Sequence, residues 1–212
     1  MASGVSTKVF FCRDDIKMTF VSMTDKATDT LRVKIETPRL CLESVKPQDR
    51  QDYVDLFSDP QVMEQYGNGQ PKKRRETSLR VKEWVRRWSH NYPYSAFAVS
   101  DKNTHRFMGH VIAGEGDRPG QSEVAFAFKK EVWHQGYGSE AMHALMTYAQ
   151  ILRKEGYRVE NQPLDEVIAT ARQTNKYSRK ILRGLGMQVS RIEDRIANGK
   201  KYRVCHHRMA MA

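Results

Sequence analysis

Two closely spaced glycines lie between a predicted strand and a predicted helix. Residues 123–128 read as a strand, Gly136 and Gly138 lie in the loop after it, and a helix is predicted from about residue 139 to residue 153. The first turn of a helix leaves backbone N–H groups without partners, and the helix dipole adds positive potential there. Glycines also let a phosphate group approach the main chain closely. The segment from His134 to Ser139 is therefore a candidate cradle for a pyrophosphate.

Two common nucleotide-binding loops do not fit this segment. A Walker A loop requires Gly-Lys followed by Ser or Thr, and the chain has no such sequence. A Rossmann loop requires a first glycine where this segment has His134 or Gln135, and it follows an initial βαβ unit. Here the strand candidates at residues 95–99, 107–113 and 123–128 are separated by short turns. That spacing predicts an antiparallel meander rather than a βαβ unit.

The elements that would position the loop follow from hydrophobic periodicity. Further predicted helices cover residues 47–66 (interrupted at Asp59 and Pro60), a basic stretch near residues 72–88, and residues 175–184, and further strands cover residues 31–35, 39–42, 165–171, 187–193 and 201–209. Ahead of them, residues 7–12 and 17–23 flank a polar turn and predict a β-hairpin. We therefore divide the chain into an N-terminal extension, residues 1–35, and a domain, residues 36–212.

Composition restricts the partners and the compartment. Lys and Arg total 36 against 25 Asp and Glu, a formal charge of +11, which suits polyanionic partners. The basic helix near residues 72–88 is open to two interpretations, a nucleic-acid face or a solvated face over a tryptophan-anchored core stripe, and we prefer the second.

No apolar run is long enough for a membrane span and charges interrupt the N-terminus, so we expect a cytoplasmic protein without membrane association.

The cysteines do not indicate a metal site. Three cysteines lie far apart at Cys12, Cys41 and Cys205, which is neither a disulfide framework nor a zinc-ribbon spacing. In the run from Cys205 to His207, adjacent residues of a strand point to opposite faces, so at most Cys205 and His207 could bind one ion. We interpret them as ordinary strand residues and predict no metal.

Three motifs of the chain follow one another in order. They are Glu36-Thr37-Pro38-Arg39-Leu40-Cys41-Leu42; Glu123-Val124-Ala125-Phe126 with Trp133-His134-Gln135-Gly136-Tyr137-Gly138-Ser139-Glu140-Ala141; and Asn175-x-x-Ser178 with Leu185-Gly186-Met187. In sequence and order they resemble the motifs of the GCN5-related N-acetyltransferases (GNAT), and within that family the branch of the ribosomal-protein-alanine N-acetyltransferases. The similarity covers about residues 36–209. The resemblance implies an α/β (α+β) fold. Its mixed central sheet would have about seven strands, with an antiparallel N-terminal meander, a splayed parallel pair in the middle and about four flanking helices.

The same resemblance implies acetyl-CoA as the co-substrate. It would lie between the splayed strands at residues 123–128 and 165–171, with its pantetheine arm along the first strand. The cofactor-binding residues that the resemblance implies are Phe126, Ala127, Phe128, His134, Gln135, Gly136, Tyr137, Gly138, Ser139 and Asn175. The basic row Lys176, Arg179, Lys180 and Arg183 could reach the 3′-phosphate, although such a row is more often a solvated helix face.

Acyl transfer to an amine requires a neutral nitrogen, so a general base must remove a proton. Glu123 is our candidate, because period-two alternation leaves only the small Ala125 and Ala127 beside it; it could instead simply bond to neighbouring backbone. His110 and His134 are alternatives. Many family members protonate the leaving thiolate with a tyrosine where this chain has Leu182; Ser178, a catalytic candidate in the matching branch, is the nearest replacement.

Two functions remain open at this point. The first is an N-acetyltransferase that acts on a primary amine, either a protein N-terminal α-amine or a small-molecule amine, by direct attack in a ternary complex. The second is a catalytically silent module that keeps the fold and binds acyl-CoA or RNA. The basic surface could also bring an active enzyme to RNA or the ribosome.

Overall fold

A computed structural model of the chain describes residues 6–12, 16–25, 29–197 and 199–211. The strands are β1 (Ser6–Cys12), β2 (Ile16–Asp25), β3 (Thr30–Glu36), β4 (Leu40–Ser44), β5 (Ala96–Asp101), β6 (Phe107–Glu115), β7 (Gln121–Phe128), β8 (Arg158–Val159), β9 (Gln162–Pro163), β10 (Glu166–Arg172), β11 (Gln188–Ala197) and β12 (Lys200–Ala210). The α-helices are α1 (Arg50–Ser58), α2 (Pro60–Glu64), α3 (Arg74–Ser89), α4 (Tyr137–Lys154) and α5 (Lys176–Gly184).

Most of the strands form one mixed sheet. Its order is β1-β2-β3-β4-β5-β6-β7-β10-β12-β11, ten strands within the described ranges, whereas about seven were predicted. The strands β4, β5, β6, β7, β10, β11 and β12 account for the predicted seven, and β1, β2 and β3, which begin ahead of residue 36, join the same sheet. The predicted hairpin is present as β1 and β2, and β2 pairs with β3 over Thr19–Glu36 to Asp25–Thr30. The division of the chain at residue 35 stays a prediction, and β3 spans that position.

The described part of the chain has five α-helices, and the predicted interruption at Asp59 and Pro60 separates the first two of them, α1 and α2. Asp59 is extended at the end of α1, and its side chain accepts a hydrogen bond at 2.8 Å from the backbone N–H of Gln61 in the first turn of α2. Pro60 at the first helical position suits the start of α2, since a proline there needs no hydrogen-bond partner for its nitrogen.

The helices cover both faces of the sheet. Alternate residues of β7 point to opposite faces, so Val124 and Phe128 pack with α4 while Ala127 packs below α1, α2 and α3. Trp84 and Trp88 of α3 are both buried, which confirms the predicted core stripe on that helix. None of the helices described is long and apolar enough to cross a bilayer.

The parallel pair β7 and β10 separates halfway along its length. The pairing begins at Gln121 with Glu166 and ends at Glu123 with Ile168. Beyond that point β7 stays paired with β6, and β10 stays paired with β12. The predicted splayed pair is therefore present, and the chain leaves β7 at the open end of the split to begin α4.

Candidate functional site

A cleft of about 1240 Å³ opens where β7 and β10 separate. Of the site residues predicted from sequence, the cleft is lined by Glu123, Phe126, Ala127, Phe128, His134, Gly136, Tyr137, Gly138, Ser139, Asn175 and Ser178. Gln135 does not line it: its side chain donates to the carbonyl of Glu131 at 3.0 Å, and its own carbonyl accepts from Arg39 at 2.9 Å. The structure thus brings all but one of these residues together.

The beginning of α4 presents backbone donors to the cleft. Gly136 precedes the helix with φ at 84°, in the left-handed region that favours glycine, and no side chain caps this end. The first backbone bond of the helix runs from the N–H of Glu140 to the carbonyl of Gly136. The N–H groups of Tyr137, Gly138 and Ser139 therefore have no partner within the helix, which makes this turn suitable for an anion.

A cluster around Glu140 holds this turn against the beginning of β4. The Glu140 carboxylate accepts hydrogen bonds from Thr37 Oγ1 at 2.6 Å, from the Arg39 backbone N–H at 3.0 Å and from Arg39 Nε at 2.6 Å. The Arg39 guanidinium also lies 4.3 Å from the ring centre of Tyr137. Thr37 and Arg39 belong to the first sequence motif and Glu140 to the second, but no local pattern indicated that they pair. The cluster fixes the backbone of the anion-binding turn.

We expect Glu140→Ala to destabilise the fold while leaving α4 helical. The Glu140 side chain is only 10% exposed, so its loss removes the acceptor of the Arg39 N–H and leaves Thr37 Oγ1 with only a long hydrogen bond, 3.3 Å, to the Leu40 carbonyl. The free energy of unfolding in urea should fall by about 2 kcal/mol. The matched control is Glu131→Ala, which removes an exposed ion pair with Arg106 and should cost less than about 1 kcal/mol. Equal losses in the two variants would contradict the role of this cluster.

The backbone of β7 faces the split at alternate residues. Lys129 N–H bonds to the Met108 carbonyl, and hydrogen-bonded pairs alternate along an antiparallel ladder. The main-chain groups of Phe128 and Phe126 therefore point away from β6 and toward the split, while those of Ala127 point to β6. Trp133 Nε1 donates to the Phe128 carbonyl at 2.7 Å, so one predicted cofactor contact already has a partner.

Glu123 lies at the closed end of the split, on the face of β7 below α3. Gly114 of β6 is directly opposite and Ala125 is the next residue on the same face, so these two positions leave space beside the carboxylate, while Ile168 of β10 is its neighbour on the other side. Burial raises the pKa of Glu123, the charge of Asp117 raises it further, and Arg195 acts in the opposite direction. A carboxylate with a raised pKa is a stronger base than an exposed one.

The other predicted contacts come from α5, and one of them has a structural role. Asn175 caps the helix, because its Oδ1 accepts from the backbone N–H of Ser178 at 3.0 Å. Only its side-chain NH2 group remains to donate into the cleft. Of the basic row, Lys176 and Lys180 line the cleft, whereas Arg179 turns away to donate to the Gln173 carbonyl at 3.1 Å.

The two histidines suggested as alternative bases lie in different environments. His110 is fully buried below α1 and α3 and does not line the cleft. Burial, and secondarily the charge of Arg80, lowers the pKa of His110 to about 3, so it is neutral and has no access to a substrate. His134 is exposed beside α5, with its ring centre 4.2 Å from that of Tyr177.

Three residues that were not predicted as site residues, Tyr66, Arg80 and Trp84, complete the cleft below α3. Together with Glu123 they define what we call the α3 side of the cleft. Tyr66 follows α2, and its Oη lies 3.0 Å from His110 Nε2. Burial raises the pKa of Tyr66 to about 12, so its hydroxyl group stays protonated. In the sequence, the only signal near Tyr66 is the turn that follows it, which places this residue at the start of a loop.

Comparisons with known proteins agree with this geometry. Residues 39–188 match the family model described as acetyltransferase (GNAT) domain. A search of curated protein sequences gives no match. Among solved structures, a GNAT-family acetyltransferase from Bacillus anthracis has a TM-score of 0.69 at 18% identity, over 84% of this chain and 98% of that chain.

Two further structures are similar in fold. A ribosomal L7/L12 alpha-N-protein acetyltransferase (RimL) solved in complex with coenzyme A has a TM-score of 0.66 at 15% identity, over 82% of this chain and 95% of that one. A ribosomal-protein-S5-alanine acetyltransferase from Vibrio fischeri has a TM-score of 0.66 at 18% identity, over 84% and 96%. These identities support a shared fold, and the family model covers most of the sequence. The chain therefore belongs to the GNAT family of acetyltransferases.

Proposed function

We propose that this acetyltransferase moves an acetyl group from acetyl-CoA to a primary amine by direct attack in a ternary complex. A protein N-terminal α-amine is the favoured acceptor, and a small-molecule amine is the second. The observation that carries the proposal is that one cleft joins a half-buried carboxylate, Glu123, to an uncapped helix N-terminus. The carboxylate can accept a proton, and the helix N-terminus can bind a diphosphate.

The residues of the cleft fit acetyl-CoA, which supplies an activated acyl thioester when it is bound. The free N–H groups of Tyr137, Gly138 and Ser139 would hold its diphosphate. A side chain at position 138 would restrict that approach, since a Cβ there would lie 3.3 Å from the Ile181 side chain. The main chain of Phe126 and the N–H group of Phe128 would pair with the pantetheine arm. The amide NH2 group of Asn175 would donate to the same arm.

Glu123 would take the proton that the acceptor ammonium must lose, directly or through a water molecule. Its raised pKa favours this exchange, because the carboxylate holds a proton more readily than an exposed glutamate does. Ser178 lines the cleft in the first turn of α5 and has its backbone N–H fixed by Asn175. Its hydroxyl group would donate a hydrogen bond to the departing sulfur, at the end of the cleft where Leu182 is buried.

The charges that line the cleft below α3 are of both signs, so they do not decide between a peptide and a polycation. Arg80 and Arg87 line it beside the carboxylates of Glu64, Glu83, Glu115 and Glu123, and Arg87 is paired with Glu83 and Glu115. Two of the structural neighbours are described as ribosomal-protein acetyltransferases, which favours a protein N-terminus as the acceptor.

The silent-module alternative rests on the basic surface of α3. Arg74, Arg75 and Lys82 are exposed there, whereas Arg86 and Arg87 are paired with Glu83. Measuring thiol release from acetyl-CoA with a panel of N-terminal peptides, amino acids and polyamines separates the two functions. We expect release that depends on the amine. No release with any amine, together with salt-sensitive RNA binding, would favour the module.

Glu123→Gln should also change the pH dependence of folding stability. The native pKa of Glu123 is raised above its ordinary value of 4.5, so the native state favours the protonated form. The wild type is therefore fully stabilised relative to the variant at pH values below 4.5, and this stabilisation is lost as pH rises through the raised native pKa of Glu123. Urea unfolding at about pH 4 and about pH 8 measures this difference. A difference that does not change with pH would contradict the raised pKa.

A further inference from the structure

The hydroxyl group of Tyr66 connects the cleft to a buried histidine. Its Oη lies 3.0 Å from His110 Nε2. The His110 ring is completely buried and stacks on Trp84, with ring centres 5.2 Å apart at 25°. Tyr66 lines the cleft, and its pKa responds to the charge of Glu123, so the hydroxyl group lies near the candidate base.

The surroundings of His110 decide which partner donates in this hydrogen bond. Its other ring nitrogen, Nδ1, is buried and has no hydrogen-bond partner among the described residues. If Nδ1 carried the ring proton, a buried N–H donor would remain unpaired, and such donors are rare and costly. The assigned tautomer therefore has the proton on Nε2, so that His110 donates and Tyr66 accepts.

Because Tyr66 accepts from His110, its own O–H is left to donate elsewhere. No hydrogen bond joins Tyr66 to Glu123 in the part of the chain that the structure describes. Its ring stacks on Phe57, with ring centres 5.5 Å apart at 21°, which limits the directions of the hydroxyl group.

We propose that His110 fixes Tyr66 as a hydrogen-bond donor to the acceptor substrate, so that Tyr66 selects amines with a carbonyl oxygen next to the amino-bearing carbon. This inference rests on the proposed function. Every peptide N-terminus carries that oxygen, and a simple alkyl amine does not. Tyr66 thus determines specificity by contact with the acceptor, and His110 is a positioning residue that acts through Tyr66.

The test compares two acceptors with Tyr66→Phe, which removes only the hydroxyl group. One acceptor is a short peptide, and the other is the same peptide with its first amide replaced by an (E)-alkene, which removes the first carbonyl oxygen. With the peptide, kcat/KM should fall about tenfold because the KM for the acceptor rises. A tenfold change corresponds to the free energy of about one buried hydrogen bond. With the alkene, the variant and the wild type should agree within about twofold.

Tyr53→Phe is the matched control. Tyr53 contacts the same histidine ring, and its buried hydroxyl group has no partner among the described residues. Its loss should not distinguish the two acceptors. A merely structural role for Tyr66 would lower activity by the same factor with both acceptors, and that result, or unchanged activity with the peptide, would overturn the proposal.

The tautomer of His110 tests the inference without using activity. Long-range ¹H–¹⁵N NMR of the wild type distinguishes the two neutral forms of a histidine ring. We expect the proton on Nε2; a proton on Nδ1 would overturn the proposal. If the wild type acetylates neither acceptor, the proposed function has failed, and the position of this proton then decides the inference alone.

Discussion

Glu123→Gln should lower kcat by about 10² to 10⁴-fold, the usual contribution of a positioned general base. The replacement keeps the shape of the side chain but cannot accept the proton that the ammonium must lose. In the wild type, the rate should rise with pH as Glu123 ionises. This rise should begin at a higher pH than the ionisation of an ordinary glutamate, because burial raises the pKa of Glu123. The variant should retain only the pH dependence that comes from ionisation of the amine itself.

The control for this result is Glu64→Gln. Glu64 is an exposed carboxylate that lines the same cleft, so this variant changes the net charge equally without removing the candidate base. Its kcat should stay within about twofold of the wild type, as expected for a surface charge. The affinity of both variants for acetyl-CoA should be unchanged, since neither residue lies at the beginning of α4. A Glu123→Gln enzyme with the kcat of the wild type at every pH would remove Glu123 from the mechanism.

Ser139→Asp should abolish tight binding of CoA without harming the fold. Ser139 lies in the first turn of α4 and lines the cleft, so a carboxylate there would compete for the free N–H groups and repel a diphosphate. Like charges at such distances interact by several kcal/mol near a protein surface, so Kd measured by calorimetry should rise about 100-fold. An acidic residue in the first turn is favourable to the helix dipole, so the melting temperature should not fall.

Ser139→Asn separates charge from shape in that experiment. Asparagine has nearly the size of aspartate but no charge, and CoA affinity should remain within about threefold of the wild type. A similar loss of affinity in both variants would mean that the position tolerates only a small side chain. Unchanged affinity in Ser139→Asp would place the diphosphate elsewhere.

Local signals were sufficient to predict the segment from β7 through the beginning of α4. Strand alternation, the two glycines and the periodicity of the helix all lie within about thirty residues, and the motif added the functional meaning. The cap formed by Asn175 was also readable, because an asparagine three residues before Ser178 at a helix start is a common N-cap spacing. The resemblance directed attention to a cofactor contact instead.

Contacts between distant segments could not be predicted. The bonds from Thr37 and Arg39 to Glu140 join residues about a hundred positions apart, and no local pattern encodes such a pair. His110 could be proposed as a base because its sequence neighbours do not reveal that α1 and α3 bury it. Tyr66 acquires its role only from the position of that buried ring. For the same reason, nothing in the pattern of β2 and β3 indicated that they extend the main sheet.

Titration of the wild-type protein with CoA by calorimetry tests the central claim most directly. If the diphosphate is held by the backbone N–H groups at the beginning of α4, with the pantetheine arm in the split between β7 and β10, one saturable site per chain should release heat. Ser139→Asp should lose this signal, and Ser139→Asn should keep it. The absence of any binding heat with the wild-type protein would contradict the account.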